Sequence, residues 1–128
     1  PRQEEMLEVD EASVEGGMRA MNRLLSKKNR PAAVFAFNDP MAIGAFRSLK
    51  AANLKVPQDV GLLGFANILA CEIMEVPLSS IDQSAQLIGS ESARLLLELV
   101  QGESSAVHMR HVVQSKLFIR ESSKLRTC

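Results

Sequence analysis

The 128-residue chain has no Trp, no Tyr and only five Phe. Flat side chains that stack on sugar rings or nucleobases are therefore scarce. Fifteen basic and fifteen acidic residues balance to a formal net charge of zero. A neutral domain has no electrostatic reason to bind nucleic acid or an acidic membrane directly. No apolar run approaches the roughly 18 residues needed to cross a bilayer, so no membrane partner is expected. The two cysteines, Cys71 and Cys128, have neither metal-ligand spacing nor a disulfide framework. Their scarcity points to a reducing, intracellular setting. The sequence opens at Pro1, with no basic-then-apolar leader, and so is expected to be a piece of a longer protein. What is present suffices for one domain with a buried core.

Local pattern predicts alternating strands and helices. Residues 4–10 suit a short strand, weakened by charge. Val14, Met18, Met21 and Leu25 recur at helical spacing, with Leu24 beside them. Ser13 suits the N-cap of that helix, and Pro31 blocks its continuation. The apolar run 33–37 reads as a strand buried on both faces. A second helix follows, with Asp39 as cap, Pro40 in the first turn and Ala42, Ala45, Phe46 and Leu49 as its inner stripe. Asn53 suits a left-handed terminator. Residues 60–65 read as a second buried strand, which completes a parallel βαβ unit. A short helical turn is expected within 66–77. A long helix over about 84–100 follows, its inner stripe Ala85, Ile88, Ser92, Leu95, Leu96 and Leu99, stopped by Gly102. Residues 102–106 read as a loop, 111–120 as a final strand, and 121–128 as a frayed tail.

In an open parallel sheet, ligands bind beyond the carboxyl ends of the strands. Asn38-Asp39 and Ala66-Asn67 occupy that position. Two readings of Asn38-Asp39 stay open: they only start a helix, or they also grip hydroxyls of a small polar molecule. No catalytic set emerges. His108 and His111 have no nucleophile placed beside them, and the acidic run 4–11 matches no metal loop. Neither a metal nor a cofactor is expected.

The stretch NDPMAIGAFRSLKAANLKVPQDVGLLGFAN resembles the central signature of the LacI/GalR family of bacterial transcription regulators. That signature runs ND-x-MA-x-G, then VP-x-DV, then GFDD. SVEGGMRAMNRLL upstream is similar to the family's "S-x-x-x-G-x-x-A-x-x-x-LL". Downstream, PLSSIDQSAQLIGSESARLLLELVQG and SKLFIRESS resemble its "PLTT…Q…G…A…LL…G" and "L-x-x-R-x-S" segments. Four pieces fall in order along nearly the whole chain.

The resemblance implies an α/β fold: a periplasmic-binding-protein-like lobe, with a mostly parallel, Rossmann-like sheet flanked by helices. Residues 1–128 would form the C-terminal lobe of an effector-binding domain, lacking a middle strand. Residues 78–102 would cross to the N-terminal lobe. The implied function is sensing of a small-molecule effector, a sugar or nucleobase-like metabolite, in the cytoplasm. Operator DNA would be bound only by a helix-turn-helix headpiece outside this chain. The implied ligand positions are Asn38 and Asp39, then Ala66 and Asn67 where the family has two Asp, and Ala12 where it has a stacking aromatic. Loss of a carboxylate and an aromatic would remove roughly 1–3 kcal/mol of grip each. Ile43, Arg47 and Met74 would lie at a homodimer interface, and exposed edges of the lone lobe invite dimers or swapped assemblies. The alternatives are a sugar-binding protein of a transport system with the same fold and, against the lack of any acid, base or nucleophile set, an α/β enzyme.

Overall fold

Ser13 caps the first helix as expected: its Oγ accepts from the Gly16 N–H at 3.0 Å. The computed structural model describes residues 8–102 and 110–124. Helix α1 (Val14–Ser26) is followed by β1 (Ala33–Phe35), α2 (Asp39–Ala51), β2 (Gly61–Phe65) and the short α3 (Ala70–Ile73). Then come β3 (Ser79–Asp82), α4 (Ala85–Gln101), β4 (Lys116–Phe118) and a 3-10 turn at Glu121–Ser123. The sheet order is β1-β2-β3-β4. β1, β2 and β3 run parallel, with Phe35 beside Leu63 and Leu63 beside Ser79; β4 returns antiparallel to β3.

The core lies between α1, α2 and one face of the sheet, around Met21, Leu24, Ala42, Leu49 and Leu62. Glycines let the two helices approach closely. A Cβ on Gly44 would sit 2.0 Å from the Val14 carbonyl oxygen, and one on Gly17 2.2 Å from that of Met41. Ser48 Oγ donates to the Met18 carbonyl across this seam at 3.1 Å. Successive strand residues face opposite sides, so Ser80 reaches toward α2 while Ser79 meets the chain end. The Ser79 N–H donates to Ser122 Oγ at 2.8 Å, and Ser122 Oγ donates to the Leu62 carbonyl at 2.7 Å.

Several expectations are corrected. Of the strand predicted at 4–10, residues 4–7 lie outside the described residues, and Glu8, Val9 and Asp10 form no strand. Those carboxylates are tied down rather than merely solvated. Arg19 and Arg23 hold Asp10, and Arg23 and Lys27 hold Glu8. β1 ends at Phe35 and is an edge strand, not a doubly buried one, with Phe35 60% and Phe37 74% exposed. β3 goes unpredicted, because Ser-Ser-Ile-Asp lacks an apolar run. No residue of α4 is buried: its apolar stripe meets only the segment at His111 and Val113 across an open groove, although Gly102 stops it in the left-handed conformation, φ 73°. The predicted strand 111–120 shortens to Lys116–Phe118. Of the predicted tail, Glu121–Ser123 is helical with Ser122 buried, and 125–128 lie outside the described residues. Among the described residues no helix is long and apolar enough to cross a membrane.

Candidate functional site

β1 and β2 deliver their carboxyl ends side by side, and hydrogen bonds there join Asn38 to Ala12 and Asp39, through Ser80, to Asn67. Asn38, not Asp39, caps α2. Its Oδ1 accepts from the Met41 N–H at 2.9 Å, and its Nδ2 donates to the Ala12 carbonyl at 3.2 Å. This corrects the predicted division of roles. Asp39 is instead the first residue of α2 and fully buried. Its Oδ2 accepts from the Ile68 N–H at 2.9 Å and its Oδ1 from Ser80 Oγ at 2.7 Å. Ser80 Oγ in turn accepts from the Asn67 N–H at 3.1 Å. A Cβ on Gly64 would lie 2.1 Å from Asp39 Oδ1, so only glycine admits the carboxylate against β2.

The elbow after β2 has unusual backbone. Ala66 has φ 115° and Asn67 φ 53°, in the left-handed half of φ space that side chains other than glycine rarely adopt. The Ala66 N–H donates to the Ile81 carbonyl at 2.8 Å. Asn67 Oδ1 is buried without a partner within the described residues. Such an acceptor favours a donor supplied from outside. Cys71 is buried beneath the elbow; its burial first, then the neighbouring Asp39 carboxylate, push the thiol up to about 12.

The structure thus brings Ala12, Asn38, Asp39, Ala66 and Asn67 together. Asp39 stands behind the rim; Ala12 is exposed, and Asn38, Ala66 and Asn67 are half-buried. The rim offers amide groups and small apolar side chains, with Phe37 and Leu69 exposed nearby in sequence. Ile43, Arg47 and Met74 lie elsewhere. Arg47 is exposed on α2, Ile43 is half-buried, and Met74 is partly packed against the core. Lys50 and Glu75 pair across the same region. Sequence reasoning missed Ser80, the hydroxyl that joins Asp39 to the elbow; the PLSS likeness to PLTT marks a hydroxyl there, but not its partners, which are distant in the chain. An open groove of about 230 Å³ runs between α4 and His111 and Val113, away from these residues. His111 lies 3.7 Å from Glu91 there, and His108 is outside the described residues. No group of three or more potential metal ligands occurs among the described residues.

The family described as a periplasmic binding protein-like domain matches residues 1–123. The HTH-type transcriptional regulator CelR of Thermobifida fusca is 34% identical over 119 residues, 93% of this chain and 35% of that protein. The HTH-type transcriptional repressor PurR of Haemophilus influenzae is 36% identical over 112 residues, 86% of this chain and 33% of its own length. The chain therefore spans about a third of the curated relatives it matches. The solved complex of the transcriptional regulator CelR with cellobiose superposes with a TM-score of 0.82 at 35% identity, over 91% of this chain and 38% of that one. The match over 123 residues and the mostly parallel sheet together place the chain in the periplasmic binding protein-like domain family, and the relatives named here are transcriptional regulators.

Proposed function

We propose that this chain is the effector-binding and dimerisation part of a LacI-type transcriptional regulator. The observation carrying this reading is the convergence of Ala12, Asn38, Ala66 and Asn67 at the carboxyl edge of the sheet, with a buried, unpartnered Asn67 Oδ1 among them. The effector is a neutral sugar or nucleobase-like molecule, because the amides of Asn38 and Asn67 can exchange hydrogen bonds with hydroxyls or ring nitrogens. Asp39 contributes no direct contact, since it is fully buried behind the rim, whereas Asn38 stays half-exposed with a spare amide hydrogen. α4 leaves this lobe and reaches across to a second one, where its exposed Leu96, Leu97 and Val100 find cover. Ile43, Arg47 and Met74 face the second copy of a homodimer. Effector occupancy changes the geometry between lobes and thereby operator binding by a headpiece, in the cytoplasm. The protein carries out no catalysis.

Asn38→Asp in the full-length protein tests this. The substitution keeps the oxygen that caps α2 and removes the Nδ2 donor. Titration calorimetry against cellobiose, ribose and adenine should show the best-binding compound weakened about tenfold or more, while thermal stability falls modestly because a carboxylate oxygen replaces the donor to the Ala12 carbonyl. Undiminished affinity would overturn the reading.

A further inference from the structure

The elbow at Ala66-Asn67 is held by groups that face away from the rim. We infer that Asp39 and Ser80 form a positioning latch, which sets the shape of this elbow and ties it to β3. The inference rests on the effector reading above for its consequence, not for its geometry. Both latch residues are fully buried, so neither touches a ligand. Between them they receive the two backbone N–H groups that follow Ala66: Asn67 N–H goes to Ser80 Oγ at 3.1 Å and Ile68 N–H to Asp39 Oδ2 at 2.9 Å. The Ser80 hydroxyl closes the set by donating to Asp39 Oδ1 at 2.7 Å. Within the described residues Asn67's own Oδ1 makes no bond, so the left-handed backbone at Ala66 and Asn67 is held through these amides rather than through that side-chain oxygen.

The latch also gives direction to any movement. Ser80 lies in the middle of β3, which ends at Asp82, and α4 begins at Ala85. Ser84 between them is left-handed, φ 57°, with its N–H donating to Asp82 Oδ1 at 2.7 Å. A ligand that shifts Asn67 must either stretch the Ser80 bond or carry β3 with it, and β3 leads directly into α4. The short, buried bond from Ser80 Oγ to Asp39 Oδ1, 2.7 Å, resists the first course. Effector occupancy at the elbow is thereby transmitted to α4, none of whose residues is buried against the described part of this lobe.

Hydrogen exchange of backbone amides in the ligand-free, full-length protein tests the latch without any effector. Ser80→Ala should speed exchange at Asn67 and Ile68 about tenfold or more. Asp39→Asn, which places a donor or a weaker acceptor in the same position, should do likewise. Ser122→Ala removes an equally buried serine from the other face of β3 and should leave those two amides within about twofold of wild type at a similar loss of thermal stability. Unchanged elbow amides in Ser80→Ala, or equal acceleration in Ser122→Ala, would overturn the latch. For whichever of cellobiose, ribose and adenine binds, affinity should fall about tenfold in Ser80→Ala and hold in Ser122→Ala. An unchanged affinity in Ser80→Ala contradicts positioning. Failure of all three to bind the wild type counts against the effector reading, while the exchange result still decides the latch.

Discussion

Replacing Gly44 with alanine should destabilise the protein, although the same change in most helices would stabilise it. Alanine exceeds glycine in helix propensity by about 1 kcal/mol. At position 44 the new Cβ would stand 2.0 Å from the Val14 carbonyl oxygen and 2.8 Å from the Met18 nitrogen, both backbone atoms of α1. Backbone cannot rotate out of the way as a side chain can, so α1 and α2 must separate by at least about 1 Å. That separation would lengthen the Ser48–Met18 bond and loosen Met21 and Leu24 against Ala42 and Ala45. Overpacking of this kind costs typically about 1–3 kcal/mol, which outweighs the propensity gain. Urea unfolding of the full-length Gly44→Ala variant, followed by circular dichroism, reads the sign. A Gly44→Ala protein as stable as wild type would refute the close-approach argument.

Other perturbations separate the remaining parts of the account. Lys27, with Arg23, lowers the Glu8 carboxyl, and Arg19, with Arg23, holds that of Asp10 well below the usual carboxylate range. Depressed carboxyls contribute stability that is present above their ordinary pKa of about 4 and lost as pH falls through the folded value. Stability measured from about pH 6 down to pH 2 should therefore fall, and Asp10→Asn should flatten that slope; an unaltered slope would show that these surface pairs hold nothing. Cys71, pushed up to about 12 by burial and then by Asp39, should react with iodoacetamide at pH 8 at least about 100-fold more slowly in the folded than in the urea-unfolded protein, as read by peptide mapping. Ser122→Ala should cost about 1–3 kcal/mol in urea unfolding, because the Ser79 N–H and the Leu62 carbonyl lose their partner inside the protein.

Much of the fold was legible where local chemistry decides it. The stripe of α2, the cap at Ser13, the left-handed stop at Asn53 and the β2 run depend on neighbours in sequence, and each stands where the residues place it, whereas the buried face of α1 is turned to Gly17, Ala20, Met21 and Leu24, leaving Val14, Met18 and Leu25 half-buried. The roles of Asn38 and Asp39 were not legible. Both side chains can cap a helix, and what assigns the cap to Asn38 is a hydroxyl 41 residues beyond Asp39. Serine-rich β3 carries no apolar period, and its place between β2 and β4 follows from backbone pairing and from Ser122. α4 shows the limit from the other side. Its period announces an apolar face but says nothing about whether the partner lies in the same stretch of chain, and within the described residues that face stays open. The convergence of residues 38, 66 and 67 followed from the parallel βαβ reading, because that topology puts both strand ends on one edge, whereas Ala12 was implied only by the family resemblance.

The most direct test of that edge as the effector site is backbone amide shift mapping on the full-length protein, titrated with the compound that binds tightest among cellobiose, ribose and adenine. The account predicts the largest shifts at Asn38, Ala66, Asn67 and Ile68. Shifts confined to the groove between α4 and His111, with those four amides unmoved, would contradict it.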